Sequence, residues 1–203
     1  MTHQELKNKY ITCELCTKCL NSRKVFGHGN LKARIAVVGE GPGKEEATEL
    51  IPFIGASGQL LDQILLSVGL KREDLFFTNA VLCRTDDKNR TPTQEEYKNC
   101  RTRLFEELEI VNPRYTILTG LTPLKAVMGE NYLMKNAHGK WFSNLSKPCF
   151  YFYSIYHPSW ILHSTTDGEK KQRSQVMWND IKNFIEDTRG WDERYYGKTT
   201  TLA

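Results

Sequence analysis

The stretch Gly39–Gly58, GEGPGKEEATELIPFIGASG, carries residue types whose spacing could do chemistry. Glycines allow the backbone to approach a flat ring closely, and Phe53 offers an aromatic face on which such a ring could stack. The same stretch contains the carboxylates of Glu40, Glu45, Glu46 and Glu49. Because carboxylates repel a phosphate at close range, the stretch favours a neutral, planar ligand.

A dinucleotide is the alternative ligand for a glycine-rich loop that follows a strand. The G-x-G-x-x-G fingerprint is absent, because Lys44 occupies the position of the last glycine. Pro42 also removes one backbone N–H from the loop, and the G-x-x-x-x-G-K-[ST] pattern is missing. Nucleotide binding is therefore the weaker interpretation.

The cysteines indicate a second site. Cys13 and Cys16 form a C-x2-C pair, and sixteen residues separate Cys83 from Cys100. A close pair plus two distant thiolates can surround either a tetrahedral zinc or a four-iron cluster, and the spacing does not separate the two. In the alternative, Cys83 and Cys100 are buried core thiols, and only the amino-terminal cysteines, which include Cys19, bind a metal.

These residues must be positioned by an α/β fold. Short β-branched or aromatic runs at 33–40, 74–81, 114–120 and 148–157 predict four strands. Apolar residues at helical spacing lie between them, and a further amphipathic helix over 177–185 follows the last strand. Strict alternation of strands and helices predicts a parallel sheet covered on both faces.

Candidate site residues follow these predicted strands. Glu40 follows the first strand, Asn79 ends the second, and the triplet His157-Pro158-Ser159 ends the fourth. Ligands of open parallel sheets bind beyond the carboxyl ends of the strands, so we expect these residues to converge. Taken singly, each has a structural interpretation as a turn, a loop cap or a hydrogen-bonded histidine.

The composition is that of an ordinary globular protein. The chain has 203 residues, of which 39% are hydrophobic and 26% charged. We predict a single domain over 1–189, with a cysteine-rich amino-terminal segment, and a flexible tail over 190–203. No apolar run is long enough to span a bilayer and no leader is evident, so we expect a cytoplasmic protein that is monomeric. The net charge of +4 fits a nucleic-acid partner without requiring one.

The motifs, in their order along the chain, resemble those of the iron–sulfur, or family 4, uracil-DNA glycosylases. They run from about Cys13 to Ile185 and include CELC, VFGHGN, GEGPGKEEATELIPFIGASGQLLD, FTNAVLCR, NRTPTQEEYKNC and HPSWIL. The resemblance implies a three-layer α/β/α sandwich around a four-stranded parallel sheet. It also implies a DNA glycosylase that flips uracil out of DNA and hydrolyses its N-glycosidic bond, in base excision repair.

The resemblance further implies metal ligands and catalytic roles. Its [4Fe–4S] cluster, regarded as structural, would bind to Cys13, Cys16, Cys83 and Cys100, with zinc as the weaker alternative. His157 would donate a hydrogen bond to uracil O2, and Asn79 would read the edge of the base. Glu40 would place or polarise the attacking water, and Glu46 is a second candidate for that role.

Other residues would bind the substrate. Phe53 would stack on the flipped base, while Gly39 and Gly41 would bring the backbone close to it. Ser159 would hold phosphates during extrusion. Two further residues, Trp160 and Ile161, could wedge into the duplex, although packing of the loop is an equal interpretation of Trp160.

Departures from the family pattern reduce the expected positive charge against DNA. The sequence Gly55-Ala56-Ser57-Gly58 stands where the family usually has GRAG or similar, so one basic residue is absent there. His163 stands where an arginine is usual, and Asp86 and Asp87 lie close to Cys83. Fewer basic residues would weaken phosphate contacts. The segment LCRTDDKNRTP contains no histidine, so covalent capture of uracil is not expected. The alternatives are a weakened uracil- or DNA-binding protein on the same scaffold and a zinc-stapled interaction module.

Overall fold

The computed structural model describes residues 1–16, 23–86, 88–144 and 147–196. The strands in these ranges are β1 His28–Gly29, β2 Ile35–Gly39, β3 Phe76–Asn79, β4 Tyr115–Thr119, β5 Lys140–Asn144 and β6 Lys147–Ile155. They form one sheet in the order β1-β3-β2-β4-β6-β5. The four central strands are parallel, which confirms the parallel centre that the sequence predicts.

The sheet differs from the prediction at its edges. Instead of four strands it has six within the described residues, because β1 and β5 each add an antiparallel edge strand. β1 contains only two residues, and the apolar residues of β5 are limited to Trp141 and Phe142. Neither strand is long or apolar enough to be visible as an alternating pattern.

Helices occupy most of the connections between strands. Their bounds are α1 His3–Tyr10, α2 Lys44–Glu49, α3 Ala56–Ser67, α4 Gln94–Val111, α5 Leu121–Met128, α6 Met134–Ala137, α7 Ser159–Leu162 and α8 Asp167–Tyr196. A short 3-10 helix covers Arg72–Asp74. Within the described ranges, no helix is long and apolar enough to cross a membrane.

Each face of the sheet carries its own hydrophobic core. Along β2, Ile35 and Val37 pack on one face with α3 and α8, while Ala36 and Val38 pack on the other with α4 and α5. Successive residues of a strand point to opposite faces, so a strand that is apolar throughout must be covered on both sides. The predicted three-layer α/β/α sandwich is confirmed.

The last helix corrects the predicted carboxyl-terminal boundary. α8 continues to Tyr196, so residues 190–196 belong to the fold and not to a flexible tail; residues 197–203 lie outside the described residues. Asp192 is buried and accepts hydrogen bonds from Arg34 (Nη2–Oδ2 2.7 Å) and from the Tyr115 hydroxyl (3.1 Å). This end of the helix is held by these polar contacts and by the Trp191 ring, which packs against Trp141 (4.5 Å between centroids).

The amino-terminal helix packs against α4. The His3 ring lies 3.0 Å from Glu107 Oε1, and Lys9 Nζ lies 2.7 Å from Glu106 Oε1. α1 begins at a capping box of Thr2 and Glu5, in which each side chain satisfies a backbone N–H of the first turn. The segment before the first cysteine is therefore part of the domain.

Candidate active site

A pocket of about 230 Å³ lies at the carboxyl ends of the parallel strands. Asn79 is the last residue of β3, His157 follows β6, and Phe53 lies between α2 and α3. All three side chains line the pocket. The structure thus brings together three of the predicted site residues from separate parts of the chain.

Two glycines allow these segments to approach one another. A Cβ atom on Gly39 would lie 2.4 Å from Asn79 Oδ1 and 2.6 Å from Phe53 Cζ, so no other residue fits without displacing a pocket side chain. A Cβ atom on Gly41 would lie 2.7 Å from Val81 Cγ2. Gly41 lines the pocket, whereas Gly39 lies against its walls.

The Phe53 segment is fixed from outside the pocket. Phe53 has a left-handed φ of 59°, which is unusual for an aromatic residue. The Arg72 guanidinium holds this turn by donating to the carbonyls of Pro52 (2.8 Å) and Phe53 (3.0 Å), and it also pairs with Asp62 (2.9 Å). Gly58 packs so closely that a Cβ atom would lie 2.1 Å from the Phe53 carbonyl oxygen.

Hydrogen bonds to Ser159 determine the tautomer of His157. The Ser159 backbone N–H donates to His157 Nδ1 (3.2 Å), and the Ser159 hydroxyl oxygen lies 2.7 Å from the same atom. Because Nδ1 accepts, the neutral ring carries its proton on Nε2. Burial lowers the pKa of His157 to about 4, with a further contribution from His163. The imidazole is therefore neutral near pH 7 and has an N–H to donate.

Glu40 does not line the pocket. Its Oε2 accepts a hydrogen bond of 2.6 Å from the Thr122 hydroxyl, at the start of α5. Burial raises the pKa of Glu40, and the Thr122 hydrogen bond opposes part of that rise. Of the four side chains expected to share one cavity, Glu40 is the exception, although its neighbour Gly41 is a lining residue.

Glu46 lines the pocket and also supports it. Its Oε1 accepts hydrogen bonds from the backbone N–H groups of Gly55 (2.9 Å) and Ile54 (3.2 Å). This carboxylate therefore ties α2 to the start of α3. It also faces His157 closely enough to oppose, in part, the lowering of that residue's pKa.

Sequence reasoning gave no binding role to four polar residues of the lining, Lys44, Glu45, Ser57 and Asn89. Asn89 has a left-handed φ of 54°, and its backbone N–H donates to the Asp86 carbonyl (3.1 Å). Asparagine tolerates this conformation better than other residues with a side chain. The available signal was its place in a polar loop that leaves the sheet at the same edge as Asn79.

Comparisons with known proteins agree with this geometry. Residues 26–182 match the family model described as the uracil DNA glycosylase superfamily. The chain belongs to this superfamily. It is 36% identical to the type-4 uracil-DNA glycosylase of Thermotoga maritima, a match that covers 85% of this chain and 89% of the relative.

Two archaeal type-4 uracil-DNA glycosylases are also similar. Identity to the Archaeoglobus fulgidus protein is 35%, over 73% of this chain and 78% of the relative. Identity to the Pyrobaculum aerophilum protein is 39%, over 62% of each chain. The predicted resemblance to family 4 is confirmed.

The segment after His157 does not present Trp160 and Ile161 as residues that could wedge into the DNA duplex. Ile161 is fully buried in the core, so its assignment as a wedge residue is wrong. The Trp160 ring stacks on Tyr156, with 3.9 Å between centroids, and Arg173 lies 5.0 Å from its centroid. Trp160 therefore packs the loop. Leu162 is the exposed apolar residue of α7, with 43% of its surface accessible.

The four predicted cluster ligands, Cys13, Cys16, Cys83 and Cys100, all lie in the part of the chain that the structure describes. Asn99 connects the amino-terminal pair to α4, because its Nδ2 donates to the Leu15 carbonyl (3.0 Å) and contacts Cys16 Sγ (3.7 Å). Cys100 is the next residue of α4, and Cys16 packs against the apolar cluster that contains Cys83. Over 1–16, 23–86, 88–144 and 147–196, no three potential ligands form a metal-binding group; Cys19 lies outside these ranges.

Proposed function

We propose that this protein is a uracil-DNA glycosylase, which extrudes uracil from DNA and hydrolyses its N-glycosidic bond to leave an abasic site. The observation that carries the proposal is the neutral His157 in the same pocket as Asn79 and Phe53. Bases in a duplex are stacked and paired, so an enzyme that acts on one must first flip it into such a pocket.

His157 supports this reaction by stabilising the leaving base. Cleavage of the bond leaves negative charge on uracil, mainly on O2, and a preorganised donor aimed at developing charge contributes roughly 3 kcal/mol. Since Nδ1 accepts from Ser159, Nε2–H is the donor that remains. Ser159 orients the His157 ring through Nδ1, the ring nitrogen that does not face the base. The phosphate contact predicted for Ser159 would have to use the same hydroxyl.

Asn79 and Phe53 support selection of the base. The Asn79 side chain forms no hydrogen bond with any residue that the structure describes, and it is therefore available to a ligand. Its amide can donate to uracil O4 and accept from N3–H, whereas cytosine presents the opposite pattern. The Phe53 ring supplies a stacking surface, with Gly39 and Gly41 leaving room for the base.

Glu40 is our candidate for positioning the attacking water. The water must reach the sugar carbon, which stays outside the base pocket, so a carboxylate beside the lining suits this role better than one within it. Thr122 orients Glu40 through one oxygen and leaves Oε1 for the water. Glu46 is less suitable, because it lines the base pocket itself and its Oε1 holds the Ile54 and Gly55 backbone there.

We also propose that Cys13, Cys16, Cys83 and Cys100 hold a [4Fe–4S] cluster, with zinc as the alternative. The donor set is suitable, since four thiols are the usual ligands of such a cluster. The Asn99 contacts support the proposal, because they hold Cys16 next to the helix that carries Cys100. The cluster would supply a structural cross-link between the amino-terminal segment and the sheet.

The test is cleavage of an oligonucleotide that contains a single uracil, followed by alkali to break the strand at abasic sites. We expect breakage with the unmodified chain and a rate lower by about 10²–10³-fold in His157→Ala. Asn79→Ala should also be slow, and His28→Ala, at an exposed histidine of β1, should react normally. Binding without breakage would favour a uracil-binding protein, and indifference to uracil would favour an interaction module.

A further inference from the structure

Among the described residues, no strand pairs with Asn79 on the outer side of β3, although the chain before β1 pairs again further on, through Val25 with Leu82 and Lys24 with Cys83. β1 pairs only with Phe76 and Phe77 of β3, so this pairing does not extend to the pocket end of β3. The carbonyl groups of Asn79 and Ala80 instead accept hydrogen bonds from Arg103 Nη2, at 2.8 Å and 3.2 Å. A side chain from α4 therefore satisfies the two carbonyls in the interval that the neighbouring chain leaves unpaired.

Arg103 is itself held by a buried polar network. The residue is 1% exposed, and its Nη1 donates to Glu107 Oε2 (3.0 Å) and to the Thr78 hydroxyl (3.2 Å). Glu107 is fully buried and also accepts from the Gly27 backbone N–H (2.8 Å). The planar guanidinium can serve the carboxylate and the two carbonyls at once, which a lysine cannot do.

We infer that Arg103 is a positioning residue for Asn79 and sets how accurately this side chain reads the base; the inference rests on the proposed function. The Asn79 amide has no hydrogen bond to another described residue, so its direction depends on the backbone at the end of β3. Arg103 fixes that backbone. A purely stabilising role explains the network less well, because a buried ion pair is seldom more stabilising than apolar residues of similar volume.

Two variants of the ion pair separate positioning from folding. Arg103→Met combined with Glu107→Gln removes both buried charges and the hydrogen bonds to the carbonyls, while Gln can still accept from Gly27. Arg103→Lys keeps the charge opposite Glu107 but cannot donate to both carbonyls, and it protects the test against a misfolded double variant. Asp192→Asn is the control, since it weakens a different, partly buried group of ion pairs, with Arg34 and Arg114.

The first readout does not depend on catalysis. The side-chain amide signals of Asn79 are recorded by NMR and assigned with Asn79→Gln. We expect these signals to shift or broaden in both Arg103 variants and to stay unchanged in Asp192→Asn. Unchanged signals in both Arg103 variants would overturn the inference, whether or not the protein excises uracil.

The second readout is the rate of uracil excision. We expect kcat to fall by about 10-fold or more in the double variant, with a smaller fall in Arg103→Lys, because small misplacements of a positioned group are costly. KM for the oligonucleotide should be unchanged. Equal kcat in the Arg103 variants and in Asp192→Asn would also overturn the inference. Absence of excision by the unmodified chain would count against the proposed function alone, since the NMR result still decides the role of Arg103.

Discussion

At the scale of single residues, burial acts on the two proposed catalytic groups in opposite directions. It lowers the pKa of His157 to about 4 and raises the pKa of Glu40. As the pH falls, Glu40 therefore takes up a proton at a higher pH than His157 does. The first loss of excision activity on acidification would therefore report on Glu40 and not on protonation of His157.

The shifted pKa of His157 predicts a pH-dependent contribution to stability. Between pH 6.5, the ordinary value, and about pH 4, the unfolded chain binds a proton that the folded chain does not. The free energy of unfolding is therefore not reduced by this group above pH 6.5. It decreases as the pH falls below 6.5, by up to about 1.4 kcal/mol per pH unit.

His157→Gln should remove this contribution. Denaturant unfolding at several pH values should give a shallower dependence of stability on pH in the variant than in the unmodified chain. His28→Gln, at an exposed histidine, is the control and should keep the original dependence. The same slope in all three proteins would show that His157 is not buried in its neutral form.

Individual site residues could be predicted where they sit at the ends of apolar strands. Asn79 and His157 were placed at the correct edge because β3 and β6 are visible in the sequence. The direction of the Glu40 carboxylate could not be predicted, since it depends on Thr122, 82 residues away in the chain. The burial of Ile161 was missed because a four-residue helix shows no periodicity.

At the scale of elements, the segment from α2 to α3 forms one wall of the pocket. Two links hold it in place: the Glu46 carboxylate, which accepts from Ile54 and Gly55, and the Arg72 guanidinium, which donates to the Phe53 carbonyl. The segment also requires Gly58, because the Phe53 carbonyl passes directly over it. The position of the Phe53 ring is thus set by contacts outside the pocket.

Gly58→Ala should therefore disturb both stability and excision. The new Cβ atom would lie 2.1 Å from the Phe53 carbonyl oxygen, so the Phe53 turn must move. Overpacking of this kind costs about 1–3 kcal/mol. We expect a lower midpoint of thermal unfolding and a slower release of uracil from DNA.

Gly190→Ala is the matched control for this substitution. Gly190 lies inside α8, and nothing approaches within 4 Å of its added Cβ atom. Replacement of a helical glycine by alanine should stabilise the protein by up to about 1 kcal/mol and leave excision unchanged. If Gly58→Ala behaved like this control, the Phe53 turn would not depend on close packing against Gly58.

The elements differ in how well the sequence reveals them. The parallel strands were predictable because burial on both faces requires continuous apolar runs. The carboxyl-terminal end of α8 was not, since Asp192 is anchored there by Arg34 and Tyr115, residues that are far away in sequence. The edge strand β5 depends on its pairing with β6, which its own five residues do not encode.

At the scale of the whole molecule, the amino-terminal segment and the sheet are joined at several points. His3 contacts Glu107, and Asn99 holds Leu15 and Cys16. A cluster bound by the four cysteines would add a cross-link between parts of the chain that are distant in sequence. Cross-links of this kind are expected to stabilise by restricting the unfolded chain.

The proposed cluster predicts a non-additive effect of removing its ligands. Cys13→Ser and Cys100→Ser should each abolish the iron and sulfide content and the brown colour, and each should lower the midpoint of thermal unfolding. The double variant should then be no less stable than the less stable single variant, because the cluster is already lost when one ligand is removed. Independent thiols that do not share a cluster would instead give additive losses. Zinc in place of iron would give the same non-additivity in a colourless protein, so metal analysis of the unmodified chain separates the two metals.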